Sequence, residues 1–259
     1  MAVKSSPEHF QKWVRTFHPA PGATVRLVCL PHAGGSASFF FPLARAFGAD
    51  VEVMAVQYPG RQDRRHEPAI DSVGAYADEI FAVLRHLDDR PLALFGHSMG
   101  AVLGYEVALR LARAGLPAPA RLFVSGRRAP SRHRDESVHR SPDAQIVAEL
   151  RRLGGPHQGM LADPEVLALV LPAIRSDYRA IEQYRHDPAE RLDCPVTVLV
   201  GDDDPRVTVD EARAWAQHTT GPAELKVFPG GHFYLVERAA AVIDLLARRL
   251  STVQARTRG

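Results

Sequence analysis

Short apolar runs rich in β-branched residues recur along the chain, at Val25 to Leu30, Val51 to Val56, Leu92 to Phe95, Leu122 to Ser125, Val196 to Val200 and Glu224 to Phe228. Most are separated by enough residues for a helix, which predicts parallel strands joined by helical crossovers. Runs such as Val196 to Val200 are nearly continuous rather than alternating, as burial on both sheet faces requires. Between them, Asp71 to Leu87 sets Ala75, Ile80, Val83, Leu84 and Leu87 near one helical face, and Leu235, Ala239, Val242, Ile243, Leu246 and Leu250 trace a second stripe. The pattern predicts an α/β fold with a mostly parallel central sheet and helices on both faces.

The alternation stops between Arg127 and Asp193. Two helical stretches, Asp143 to Leu153 and Pro164 to Tyr184, flank a turn cluster at Gly154, Gly155 and Pro156. Asp163 and Pro164 read as N-cap and first helical residue, and Leu167, Val170, Leu171, Ile174, Tyr178 and Ile181 then form an apolar face. Pro172 lies within this face and is expected to kink or divide the helix. Residues 127–193 are therefore expected to form a helical lid inserted in a single domain spanning 1–259. Thr252 to Gly259 is expected to be a frayed tail.

Composition narrows the class. With 259 residues, 46% of them hydrophobic, the chain can bury a large core, which excludes disorder and small disulfide scaffolds. The 32 basic residues face 30 acidic ones without a polybasic tract, so no nucleic-acid partner is expected. Cys29 and Cys194 have no metal-binding spacing and read as buried, reduced thiols. The opening MAVKSSPEHFQKWV lacks the apolar core of a signal peptide, and no run approaches the length of a membrane span. A cytoplasmic, monomeric protein without membrane attachment is expected.

The chemistry centres on Gly96-His97-Ser98-Met99-Gly100, which follows the strand Leu92 to Phe95 and precedes a helix-forming run from Ala101. Glycines on both sides of a strand-to-helix serine allow a strained elbow that lifts the hydroxyl above the sheet. A serine hydroxyl is a poor nucleophile near neutrality, so the motif calls for a histidine base and an orienting acid. After Val196 to Val200 comes Asp202-Asp203-Asp204, and after Glu224 to Phe228 comes Gly230-Gly231-His232, both at carboxyl ends of predicted strands. Spacing does not choose among the three aspartates. The run Pro31-His32-Ala33-Gly34-Gly35-Ser36 follows another strand; its small residues allow an amide to approach an oxyanion, with the Met99 amide as the second donor.

Leu-Pro-His-Ala-Gly-Gly at 30 to 35, Tyr-Pro-Gly-Arg at 58 to 61, Gly-His-Ser-Met-Gly at 96 to 100 and Gly-Gly-His-Phe at 230 to 233 resemble the type II thioesterases, α/β-hydrolases that serve polyketide and nonribosomal peptide synthases. The resemblance covers nearly the whole chain. It implies Ser98 as nucleophile, His232 as base, Asp204 as orienting acid, and the amides of Ala33 and Met99 as the oxyanion hole. It also implies a freestanding serine hydrolase that cleaves acyl thioesters from the phosphopantetheine arm of acyl or peptidyl carrier proteins, with no cofactor of its own. Phe39, Phe40 and Phe41 are candidates for lining the acyl pocket, though core packing fits them better. The arginine groups Arg61, Arg64, Arg65 and Arg127, Arg128, Arg132, Arg134 are candidates either for receiving an acidic carrier or for solvated surface charge. The competing readings are a general esterase on the same site, an acyltransferase, and a carrier-binding protein without activity. Ala101 after the second glycine, where malonyl-type transferases carry glutamate, disfavours the transferase.

Overall fold

The computed structural model describes residues 6–87, 89–155 and 159–257. Pro156 of the expected turn, the opening residues 1–5 and the last two residues of the expected tail lie outside them. In chain order the helices and strands are α1 (Pro7–Trp13), β1 (Val14–Thr16), β2 (Val25–Leu30), α2 (Phe41–Ala46), β3 (Val51–Val56), α3 (Val73–Leu84), β4 (Leu92–His97), α4 (Met99–Arg113), β5 (Arg121–Ser125), α5 (Asp143–Leu153), α6 (Pro164–Gln183), β6 (Val196–Gly201), α7 (Val209–Arg213), β7 (Ala223–Phe228), α8 (Tyr234–Glu237) and α9 (Ala239–Thr257).

The strands form one seven-stranded sheet in the order β1-β3-β2-β4-β5-β6-β7. Every neighbouring pair is parallel except β1 with β3. The mostly parallel sheet and its flanking helices form the α/β-hydrolase architecture expected from the sequence. Because β3 lies on one side of β2 and β4 on the other, the chain reverses direction across the sheet at the β2/β4 boundary. A crevice opens outside the carboxyl ends of strands at such a switch point. Leu30 at the end of β2 is in register with Gly96 of β4, which brings the Pro31–Ser36 loop beside Ser98.

Alternate residues of the strands feed two cores. Val28, Leu30, Met54 and Leu94 pack with α3 and α4, whereas Leu27, Cys29, Ala93 and Phe95 pack with α2 and α9. Cys29 and Cys194 are both buried and unbonded, and burial raises both thiols, Cys194 to about 12. Among the described residues no helix is long and apolar enough to cross a membrane.

Several expectations need correction. Pro172 does not divide α6, which runs continuously from Pro164 to Gln183. The missing amide costs about 3 kcal/mol in an isolated helix, but Leu171, Ile174 and Tyr178, on both sides of the proline, pack against Ile146 and Val147 of α5. The tail does not fray at Thr252: α9 continues to Thr257, anchored by buried Leu246, Leu250 and Val253. The stripe that begins at Leu235 is broken at Arg238 into α8 and α9, and the Asp71–Leu87 helix is shorter, starting after an N-cap at Ser72.

Candidate active site

Ser98 occupies the junction between β4 and α4 with φ +54 and ψ −114; among the described non-glycine residues only Gln62 shares its positive φ. Such strain persists only where the surroundings impose it. Here the flanking glycines permit the imposition. A Cβ on Gly96 would sit 2.0 Å from the Gly100 carbonyl oxygen, and one on Gly100 would sit 2.0 Å from that of Leu30. The Ser98 amide donates to Ser125 O at 2.8 Å, tying the elbow to β5. Helix α4 starts at Met99, whose side chain is buried in the core; its amide belongs to the first turn, where the helix itself offers no acceptor.

His232 and the aspartates come together because the turns after β6 and β7 are clipped to each other. The Asp202 amide donates to Phe228 O and the Asp203 amide to Gly230 O, while the Asp202 carboxylate accepts from the Gly230 amide at 2.9 Å. Asp202 is thereby committed to the turn, and Asp203 is exposed. Asp204 is the aspartate that meets the imidazole. His232 Nδ1 lies 2.8 Å from Asp204 Oδ2 and 3.0 Å from Oδ1, and Oδ1 also accepts from the Arg206 amide at 2.8 Å. The Asp204 side chain is fully buried and that of His232 is 3% exposed, so water does not weaken the pair. A carboxylate can only accept, so Nδ1 is the donor of this pair, and in the neutral ring that tautomer leaves the lone pair on Nε2.

One cavity carries Ser98, Met99, Ala33 and His232 on its sheet side. Leu150 of α5, Leu161, and Tyr178 and Ile181 of α6 line it from the other. Among the described residues Ser98 and His232 share this wall without a hydrogen bond between them, a spacing common before substrate tightens a site. Part of the wall is charged. Arg206 bonds to Glu136 and Glu149, Arg128 bonds to Glu136, and Glu182 accepts from the amides of Val138 and His139. Arg127 lines the same wall, its pKa pushed down to about 9 by burial first and then by the charge of Arg128. The cavity combines a strained serine, a histidine oriented by a buried carboxylate, and small-residue backbone; this is the equipment of acyl transfer through a serine.

Two groups at the site have no counterpart in the sequence reading. His97, the variable position of the elbow motif, is fully buried beside the His232 ring at 5.0 Å between centroids. Its Nδ1 contacts Ser125 Oγ at 3.0 Å, and Ser125 Oγ contacts Tyr234 Oη at 2.6 Å. Burial, then repulsion from His232, pushes the His97 pKa far down, so its ring stays neutral. Asp177 is a fully buried carboxylate on α6; the signal was available, since it falls on the apolar stripe three residues after Ile174. The arginine groups need correction as docking surfaces. Arg61, Arg64 and Arg128 are buried and paired with Asp177, Glu67 and Glu136, Arg134 is paired with Glu211, and Arg127 faces the cavity. Of the seven candidates only Arg65 and Arg132 are exposed. The phenylalanines line no part of the Ser98 cavity: Phe40 joins the core, Phe41 is exposed, and Phe39 packs edge-on against His32.

A family profile described as "Thioesterase domain" matches residues 25–250. The chain is 50% identical over 248 residues to a probable cadicidin biosynthesis thioesterase of Streptomyces griseus, covering 96% of this chain and 68% of that protein. It is 50% identical over 224 residues to the thioesterase PikA5 of Streptomyces venezuelae, covering 86% of this chain and 80% of the other. The structure of the type II thioesterase BorB from the borrelidin biosynthetic cluster superposes with a TM-score of 0.86 at 49% identity, covering 92% of this chain and 97% of that one. The type II thioesterase YbtT from the yersiniabactin pathway superposes with a TM-score of 0.84 at 32% identity, covering 93% and 99%.

Proposed function

The chain belongs to the thioesterase family, and from that premise we propose that it is a type II thioesterase that hydrolyses acyl thioesters on the phosphopantetheine arm of carrier proteins in a polyketide or nonribosomal peptide assembly line. The observation that carries the reading is the buried Asp204–His232 pair facing the same cavity as the strained Ser98. The relatives named as thioesterases of biosynthetic pathways support this choice of substrate class.

In this mechanism Ser98 Oγ attacks the thioester carbonyl carbon as His232 Nε2 takes its proton. The tetrahedral oxyanion accepts hydrogen bonds from the amides of Ala33 and Met99. Asp204 stays ionised, holds the imidazole by Nδ1–H and stabilises the imidazolium. The C–S bond then breaks, the proton passes from His232 to the departing sulfur, and the carrier leaves as a free thiol. Water, deprotonated by the same Nε2, attacks the acyl-serine ester; the tetrahedral intermediate collapses, the proton returns to Ser98 and the carboxylic acid departs. The phosphopantetheine arm belongs to the partner, and no step needs a further cofactor. The 127–193 insertion acts as the lid over the acyl group, with Tyr178 and Ile181 against it. Releasing acyl groups that block a synthase is the role this activity serves.

The test compares turnover of one acyl group on a carrier protein, on pantetheine and as a nitrophenyl ester. The reading predicts the highest kcat/KM for the carrier-bound form. A protein that hydrolyses the nitrophenyl ester and leaves the carrier-bound acyl group intact is a general esterase instead.

A further inference from the structure

The loop that carries Ala33 is held by groups that the mechanism above does not use. His32 to Gly35 form a turn closed by the Gly35 amide donating to His32 O at 2.9 Å. Gly34 has φ +74 while Ala33 does not have positive φ, which defines a type II turn. In that turn the Ala33–Gly34 peptide is flipped relative to the commoner type I form, so the direction of the Gly34 N–H distinguishes the two. The Gly34 amide donates to Asp177 Oδ2 at 2.8 Å. In a type I turn the Ala33 carbonyl would point toward that carboxylate and be repelled by it.

Asp177 is itself fixed from every side. Arg61 Nη1 donates to its Oδ2 at 2.8 Å, and Arg61 Nη2 and Tyr76 Oη donate to its Oδ1 at 3.0 and 2.7 Å. Arg61 Nη1 also donates to Gly35 O at 3.1 Å, and Tyr58 Oη donates to Pro31 O at 3.1 Å. The Pro31 carbonyl, the Gly34 amide and the Gly35 carbonyl are thus held by Tyr58, Asp177 and Arg61 respectively. The His32 carbonyl is consumed by the turn, and because the peptide is trans, the Ala33 N–H points away from it. Among the described residues that N–H has no partner, and Ala33 lines the cavity with Ser98. Helix α6 also presses directly on the turn, since a Cβ on Gly34 would meet Ile174 Cγ1 at 2.7 Å.

We infer that Asp177, with Arg61, is a positioning residue for the reaction: from the lid helix it selects the turn that aims the Ala33 amide at the oxyanion. The inference rests on the serine-hydrolase reading of the same cavity. It makes this turn of α6 part of the oxyanion framework as well as part of a cover over the acyl group.

The test separates this role from a structural one. Removing one charge would strand the other in the core, whereas replacing both by apolar groups is often tolerated, so the main variant carries Arg61→Met with Asp177→Leu. An alkyl boronic acid, which adds to Ser98 as a tetrahedral anion, reads the oxyanion hole directly. In the paired variant kcat and boronate affinity are expected to fall together, by ~10- to 100-fold, with KM and the melting temperature little changed, because misplacing a group by about 1 Å costs on the order of 100-fold. Boronate affinity within about twofold of wild type overturns the inference, whatever happens to turnover. If the paired variant does not fold, Asp177→Asn is judged by the same two numbers: a parallel fall supports the role and unchanged values overturn it. Wild-type protein that binds boronate but ignores carrier-bound thioesters contradicts the proposed substrate and leaves this inference standing.

Discussion

The elbow geometry yields a sharp prediction for Gly100→Ala. An alanine Cβ at this position would lie 2.0 Å from Leu30 O, 2.6 Å from the Leu30 carbonyl carbon and 2.7 Å from Pro31 O. All three are backbone atoms, so no side chain can rotate away. To reach the 3.4 Å at which ordinary contact begins, the start of α4 and the end of β2 must separate by more than about 1 Å. Overpacking against movable side chains costs ~1 to 3 kcal/mol; with rigid backbone on both sides the loss is expected at the upper end or above. The same displacement drives the Met99 amide, which rides on α4, away from the Ala33 amide, which rides on the loop after β2. A shift of ~1 Å there costs on the order of 100-fold in rate. Urea unfolding and thioester turnover, both measured where the variant is still folded, are expected to drop together. Gly22→Ala is the control, since its Cβ would meet nothing within 4 Å, and it is expected to change neither by more than a small factor. Gly100→Ala with wild-type midpoint and wild-type turnover would refute the reasoning.

Other outcomes follow from the same contacts. Asp204→Asn is expected to lower turnover by ~10,000-fold with the fold intact, because an amide no longer holds the Nδ1–H tautomer. Asp202→Ala and Asp203→Ala, whose side chains do not touch His232, should keep most of the activity; equal losses in all three would remove Asp204 from its role. His218, whose Nε2 accepts from the Ser131 amide at 3.3 Å, is pushed down to about 4 by burial and then by His186. Its free imidazole titrates near 6.5, so the unfolded chain binds a proton that the folded chain refuses between those values. Stability is therefore complete above about pH 6.5 and is lost as pH falls toward 4, with buried His97 adding in the same direction. Thermal melts across that window should show a shallower slope in His218→Gln; an unchanged slope contradicts the assignment.

Five strands of the parallel sheet, β2 to β6, were legible because burial on both faces leaves a near-continuous apolar run, whereas the edge strand β7, half-exposed along its length, shows instead the alternation of Leu225, Lys226 and Val227 before Phe228. β1 was not legible, since three residues with one buried on every count carry no pattern, and its antiparallel pairing with β3 depends on the path of the preceding helix. Asp163 and Pro164 marked the start of α6 by local chemistry alone, and Asp163 caps the Glu165 and Val166 amides. Pro172 does not divide α6: the local rule weighs one lost hydrogen bond and not the contacts of Leu171, Ile174 and Tyr178 with α5. At the site, the strained serine and the late histidine announce themselves by their glycines. The aspartates do not, because the choice depends on how two turns clasp: Asp202 is taken by the Gly230 amide, and only Asp204 reaches the imidazole. Arg61 and Arg134 in loops read as surface charge because their partners lie far away in sequence, Arg61 meeting Asp177 of α6 and Arg134 meeting Glu211 of α7.

The central claim is that Ser98 carries the acyl group between the carrier and water. Rapid mixing of the protein with acyl-loaded carrier, acid quench and mass spectrometry of the Ser98 peptide measures it directly. A transient mass increase equal to the acyl group, confined to that peptide and absent in Ser98→Ala together with turnover, is the expected result. Hydrolysis that proceeds in Ser98→Ala, or turnover without any acylated Ser98 at the earliest times, would contradict the account.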